Sequence, residues 1–200
     1  MSVFDLSRWQ PADRIAELVE GGNCDGVILK LGERNDKTGE IELDPMFITH
    51  VNEAVRFGLP YGIYIMGRAN NEAEALEEAE WVNDRVAELL NGQEPSLGTW
   101  FDLERQEVKR DDVYEDYRAA IIQLREWWGG SRKIGIYASF SYFERFLCIG
   151  DMAANSIPVW NAQYGFTDSM KNEYPYIKTV LWQFTTHDDY QDENVWYGWY

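Results

Sequence analysis

Short apolar runs with strand character recur along the 200-residue chain, and segments with helical spacing separate most of them. That alternation constrains the fold more than any other feature, because parallel strands can be joined only by long crossovers, usually helices. The pattern predicts strands at Val3–Leu6, Gly26–Leu31, Tyr61–Met66, Gly98–Glu104, Lys133–Tyr137, Val159–Ala162 and Thr179–Phe184, with a short eighth at Asn194–Trp196. Helices are predicted at Arg14–Glu20, at Pro45–Phe57 behind Asp44 as cap, and at Asn71–Leu90, Asp112–Trp128 and Ser141–Cys148. The stretch from Gly32 to Asp44 is polar and is expected to be a loop. No repeat, linker or low-complexity tract divides the chain. The expectation is therefore an α/β protein: one domain over residues 1–200, an irregular TIM-like β/α barrel of about eight strands with some crossover helices missing.

The fourth strand carries the most informative chemistry. Asp102 and Glu104 are two residues apart, so both side chains leave one face of the strand, roughly 6–7 Å apart, while Phe101 and Leu103 face the other way. Crowding and burial raise the pKa of such a pair, so that a glutamic acid can stay protonated beside an ionised aspartate. This is the division of labour that acid-catalysed glycoside cleavage requires. A surface ion-pair cluster, with Arg105, Lys109 and Arg110 as counter-ions, is the competing account of the same residues. In a barrel the chemistry gathers at the C-terminal strand ends. Here those ends carry Asp5, Lys30, Tyr64, Asp102 with Glu104, Tyr137, Trp160, Gln163 and Trp182 with Gln183. That concentration of polar and aromatic groups favours a functional pair.

Charge and composition exclude several classes. A net charge of −17 opposes nucleic acid, and no apolar run approaches the ~20 residues that span a membrane. The N-terminus has no basic region or cleavage site of a secretory signal. Cys24 and Cys148 fit no metal or redox motif, and two free thiols are expected. His187 with Asp188 and Asp189 is a weak metal pattern, and His50 is expected on the surface of its helix. Ser139 lacks a histidine at a spacing that would make it a nucleophile. No phosphate-binding loop is present, so no cofactor and no metal is implied.

Two residues remain open on their own. Asp5 as a lone residue suits a hydrogen-bond acceptor for a helix or loop amide, whereas in a barrel it projects into the same mouth as Glu104. Lys30, on an otherwise apolar strand, either neutralises that acidic mouth or binds a substrate oxygen. Nine tryptophans and twelve tyrosines are mostly core, and those at strand ends, Tyr64, Tyr137, Trp160 and Trp182, offer flat faces to sugar rings.

With these pieces placed, the chain resembles the glycoside hydrolase family 25 lysozymes, the Chalaropsis-type muramidases common in bacteriophage endolysins. Its carriers are Phe4-Asp5-Leu6-Ser7 with Trp9-Gln10, Val27-Ile28-Leu29-Lys30 with Glu33, and Tyr61-Gly62-Ile63-Tyr64. They continue with Asp102-Leu103-Glu104, Ile136-Tyr137-Ala138-Ser139, Val159-Trp160-Asn161-Ala162-Gln163-Tyr164-Gly165 and Leu181-Trp182-Gln183-Phe184, and close with Asp192-Glu193-Asn194. Ile65-Met66 stands where the family usually continues with His-Phe, and the tail spacing differs at Asp192.

The resemblance implies an N-acetylmuramidase that cleaves bacterial peptidoglycan with retention. Glu104 would be the general acid, Asp102 its support, and Asp5 and Asp192 the rest of an acidic cluster. Lys30, Tyr64, Tyr137, Trp160, Gln163 and Trp182 would contact substrate. The residues leave open whether an aspartate or the substrate's acetamido group acts as nucleophile. A chitinase-like glycosidase and a non-catalytic glycan-binding or virion domain are the alternatives. No wall-binding module follows Tyr200, so such a module is expected to be separate or missing. The protein is expected to reach the wall by a phage-type lysis route, in a virion, or as part of a longer exported precursor.

Overall fold

The computed structural model describes residues 1–104, 112–187 and 191–199. Its strands are β1 (Ser2–Leu6), β2 (Gly26–Arg34), β3 (Ile41–Leu43), β4 (Tyr61–Met66), β5 (Thr99–Asp102), β6 (Ile134–Ser139), β7 (Val159–Ala162), β8 (Thr179–Thr186) and β9 (Asp192–Trp196). The helices are α1 (Arg14–Glu20), α2 (Phe47–Arg56), α3 (Glu72–Leu89), α4 (Val113–Trp127), α5 (Phe140–Phe146), α6 (Ile149–Ala154) and α7 (Ser169–Glu173). The sheet runs β1-β9-β8-β7-β6-β5-β4-β2-β3, and an additional parallel pairing of β1 with β2 closes eight of these strands into a barrel. β9 is antiparallel to both β8 and β1, so a hairpin replaces the last crossover helix.

Alternation along the strands sorts the side chains. Val3, Ile28, Trp100, Trp160 and Leu181 fill the barrel interior, whereas Phe4, Leu29, Ile63, Phe101 and Ile136 face outward and pack under the helices. Trp100 and Trp160 meet at 72°, centroids 5.9 Å apart, and block the barrel floor. Gly135 makes room for this pair, since a Cβ there would lie 2.7 Å from the Trp100 ring.

Several expectations need correction. The segment from Gly32 to Asp44 is not all loop: β2 continues to Arg34 and pairs with β3, Gly32 opposite Leu43 and Arg34 opposite Ile41. Backbone pairing and ion pairs hold this hairpin, whose apolar alternation on β3, Ile41-Glu42-Leu43, is too short to signal a strand. α2 begins at Phe47, because the Asp44 carboxylate accepts the Met46 amide at 2.9 Å and forms a turn ahead of the helix. His50 is buried, not on the surface, since it shares the inward helix face of Phe47, Val51 and Ala54. The helix expected at Ser141–Cys148 starts at Phe140 behind Ser139, whose hydroxyl accepts the Tyr142 amide at 3.3 Å, and it ends at Phe146 before α6. The short helices α6 and α7 are additions to the expected elements. Arg105, Lys109 and Arg110, the suggested counter-ions, lie outside the described residues, as do Asp188 and Asp189. His187 pairs with Glu193 at 2.9 Å. Both cysteines are free.

A buried charge ties the helical layer to the mouth. Glu78 on α3 is fully buried, contacts Arg34 of β2 at 3.2 Å, and accepts the Tyr117 hydroxyl of α4 at 2.7 Å and the Arg68 amide at 3.2 Å. Arg34 also meets Glu77 at 2.8 Å, so removing Glu78 chiefly leaves the buried Tyr117 hydroxyl without an acceptor, a loss worth about 1–3 kcal/mol. Glu78→Ala is therefore expected to lower unfolding stability by about that amount in urea titration, and an unchanged midpoint would contradict this role.

Candidate active site

The C-terminal ends of the parallel strands open into a cavity of about 530 Å³. Strand parity decides what lines it. Asp5 lies two residues beyond Val3, Lys30 two beyond Ile28, Asp102 two beyond Trp100, and Gln183 two beyond Leu181, so each inherits the inward face of its strand. Glu104 continues the same face past the end of β5, and Asp192 enters from β9. Tyr64, Tyr137 and Trp160 add aromatic surface to the lining. Asp5, Asp102, Glu104 and Asp192 thus meet in one cavity, although they lie up to 187 positions apart in the chain.

The acids are held by a hydrogen-bond network. The Trp160 indole donates to Asn194 Oδ1 at 2.7 Å, and Asn194 Nδ2 donates to the Val3 carbonyl at 3.1 Å and to Asp5 Oδ2 at 2.8 Å. Gln183 Nε2 also reaches Asp5 Oδ2, at 3.2 Å. The acceptor role of Asp5 is thus met by two side-chain amides, not by a helix or loop amide. The Tyr137 hydroxyl lies 2.9 Å from Gln183 Oε1 and 3.3 Å from Glu104 Oε2. Asp102 Oδ1 accepts the Glu104 backbone amide at 3.3 Å. Glu104 keeps an exposed flank at the lip while its carboxyl turns inward to Tyr137.

Burial raises every one of these acids, and the charge of a neighbouring carboxylate adds to it at Asp5, Asp102 and Glu104. Asp5 is pushed up to about 7, by burial first and by the Asp192 charge second, against the two amide hydrogen bonds. Burial, then the charge of Glu104, carries Asp102 well above the usual carboxylate range. Glu104 and Asp192 are also raised, burial being the main cause in each. Lys30 is buried against the cavity wall, and its ammonium lies 3.3 Å from Glu33, whose carboxylate also takes Arg68 at 2.6 Å and Arg8.

Of the suggested contact residues, Lys30, Tyr64, Tyr137 and Trp160 line the cavity, and Gln163 and Trp182 do not. Both stand one residue out of phase with the inward positions. Gln163 is consumed by Ser169, through two hydrogen bonds of 3.0 and 2.8 Å, and the Trp182 indole donates to the Gln163 carbonyl. Trp160 is 2% exposed and Tyr137 7%, so they form floor and wall and offer no open face to a sugar ring. Trp9, 81% exposed on the rim, offers one instead. Neither Gln183 nor Asn194 is among the suggested contacts; counting two from Leu181 and from Asp192 finds both.

Residues 4–193 match the family model described as glycosyl hydrolases family 25. No curated protein sequence gives a significant match. Among solved structures, the chain is similar in fold to the modular autolysin LytC from Streptococcus pneumoniae, with a TM-score of 0.79 and 21% identity. That match covers 98% of this chain and 46% of the autolysin, so the chain spans about half its length. The catalytic domain of endolysin ply40 from bacteriophage P40 of Listeria monocytogenes aligns with a TM-score of 0.73 and 20% identity, over 98% of this chain and 92% of that one. A muramidase from Acremonium alcalophilum gives a TM-score of 0.73 and 17% identity, over 99% and 94% of the two chains.

The raised acids set a sign for pH-dependent stability. A carboxyl whose folded pKa exceeds its unfolded value binds more protons when folded, so its contribution is full below the unfolded pKa and is lost as pH rises through the folded one. For Asp5 that window runs from 3.8 to about 7. Unfolding free energy is expected to fall across it, and Asp5→Asn should flatten the slope and gain on wild type above neutrality. Urea unfolding at several pH values tests this, and an unaltered slope in the variant would contradict it.

Proposed function

The chain belongs to glycosyl hydrolase family 25, and from that premise we propose that it is an N-acetylmuramidase. Its substrate is bacterial peptidoglycan, cut at the β-1,4 bond between N-acetylmuramic acid and N-acetylglucosamine. The observation that carries the reading is the meeting of Asp5, Asp102, Glu104 and Asp192 in one cavity at the barrel mouth. A glycosidic bond needs a proton delivered to its leaving oxygen and negative charge beside the developing oxocarbenium ion. Glu104 delivers the proton. Burial raises its carboxyl, so it stays protonated into the range where a free glutamate has ionised, and its exposed flank gives substrate access.

Asp102, bonded to the Glu104 backbone amide, fixes the turn that presents the acid. Its charge, when present, also opposes ionisation of Glu104. Asp5 and Asp192 supply negative potential on the opposite wall, where positive charge develops on the sugar. Lys30 stays paired with Glu33, which suits structural neutralisation of the wall. Trp9 on the rim supplies a stacking face for a saccharide unit outside the cavity. The wall is the site of action, reached through lysis, a virion or a longer exported chain.

Glu104→Gln keeps the shape and loses the proton. The variant is expected to fold normally by circular dichroism and to lyse purified walls roughly 10²–10⁴-fold more slowly. Lysis at the wild-type rate would remove Glu104 from the acid role. Turnover of peptidoglycan without turnover of chitin separates the muramidase from a chitinase-like enzyme.

A further inference from the structure

The opposite end of the barrel carries its own cavity, of about 360 Å³, lined by Glu94, Ser131, Arg132, Lys133, Lys178 and Trp199. Lys133 and Lys178 stand one residue ahead of β6 and β8, Glu94 lies ahead of β5, and Trp199 follows the antiparallel β9. All of them therefore gather at the N-terminal ends of the parallel strands, away from the catalytic cup. Residues at that face of a barrel ordinarily serve stability, and charged ones do so by pairing. These cations do not: among the described residues no carboxylate lies within ion-pair distance of Arg132, Lys133 or Lys178. Glu94, the acid of the cavity, accepts the Ser131 hydroxyl instead. In a chain of net charge −17, three cations without a carboxylate partner around one cavity run against the overall balance.

The cavity wall is rigidly held. The Trp199 ring stacks on Trp100 at 10°, centroids 6.0 Å apart, and meets Trp196 at 81°, while its indole donates to the Ser96 carbonyl at 3.0 Å. Gly98 admits it, since a Cβ there would lie 2.9 Å from that ring. The Lys178 ammonium rests 5.2 Å from the centroid of the same ring. Arg125 adds a fixed charge nearby, because the carbonyls of Asn155, Ile134 and Ser156 hold its guanidinium at 2.9, 3.2 and 2.9 Å. Burial first, and then the charges of Arg132 and Arg125, push the Lys178 ammonium below its ordinary value. An anion in the cavity relieves like charges that the fold holds together.

We propose that this cavity binds a phosphodiester of an anionic polyol-phosphate chain, holding such a polymer at one end of the barrel while the cup at the other end stays open. Phosphate suits the lining better than carboxylate does. Its oxygens accept hydrogen bonds on several sides, which matches a guanidinium fork and two ammonium groups around one cavity. The volume leaves room for the polyol on either side of the phosphate. Glu94 sets the limit on charge: it repels a dianionic free phosphate more than a diester, which carries a single charge. The inference goes beyond the muramidase reading and rests on it only for the wall as the place where a polymer of this chemistry is met.

The experiment follows the Trp199 indole N–H by ¹H–¹⁵N NMR, assigned through Trp199→Phe, while the whole chain is titrated with glycerol phosphate oligomers. The signal is expected to shift saturably. Arg132→Gln and Lys178→Gln are each expected to weaken binding about tenfold, the scale of one hydrogen bond to a charged group. Arg132 is exposed, so its variant keeps the fold and should cut peptidoglycan stripped of polyol phosphate at the wild-type rate. Inorganic phosphate, polyglutamate and phosphatidylglycerol vesicles are the competing ligands, and oligomers that bind more tightly than all three support the proposal. Equal or tighter binding of any of them, full affinity in both variants, or an indole signal that never moves would overturn it. The titration needs no turnover, so it stands apart from the muramidase reading, whose own failure would appear as wild-type protein that leaves peptidoglycan uncut.

Discussion

Parallel pairing of β1 with β2, and the antiparallel entry of β9 between β1 and β8, close the sheet on itself. Everything at the mouth depends on that closure. In an open sheet Asp5 and Asp102 would sit on strands far apart; in the barrel their inward faces converge. Closure also leaves a narrow interior, and two tryptophans packed edge to face, Trp100 and Trp160, fill it from below. The cavity is therefore a shallow cup above a solid floor, with chemistry confined to one end of the strands.

Confinement has an electrostatic consequence. Four carboxyl groups around one cup cannot all ionise cheaply, and the protein keeps them there instead of replacing them with apolar groups. Its compensations are local: two amides on Asp5, one backbone N–H on Asp102, and Lys30 behind the wall. They moderate the repulsion without cancelling it, which leaves acids raised above their ordinary range. Glycoside cleavage puts such a state to use, because the same crowding that destabilises a carboxylate keeps a proton available at Glu104. Trp160 serves both the packing of the floor and the orientation of Asn194 above it.

The strands are readable where burial on both faces produces continuous β-branched and aromatic runs, as in Tyr61–Met66 and Val159–Ala162, whose bounds coincide with those observed. Helix α1 is equally plain from its apolar stripe and trailing glycines. The β2–β3 hairpin is not, because it is held by backbone pairing and by the ion pairs of Glu33 and Arg34, and its alternation on β3 is only three residues long. At the mouth, inspection of strand ends locates the acids but not the phase of each strand. Gln163 and Trp182 are drawn in for that reason, and Gln183 and Asn194 are left out. Phase is fixed by the residues below, such as Leu181 under Gln183, and only the three-dimensional interior shows which of them point inward.

The identity of the bond that is cut decides between muramidase action and every alternative. Purified peptidoglycan is digested with the protein, the new reducing ends are converted to alcohols with borohydride, and the products are hydrolysed and identified. N-acetylmuramidase action predicts muramitol as the new end group, absent from the same digest with Glu104→Gln. Glucosaminitol in its place, or no new reducing ends with the wild-type protein, would contradict the central claim.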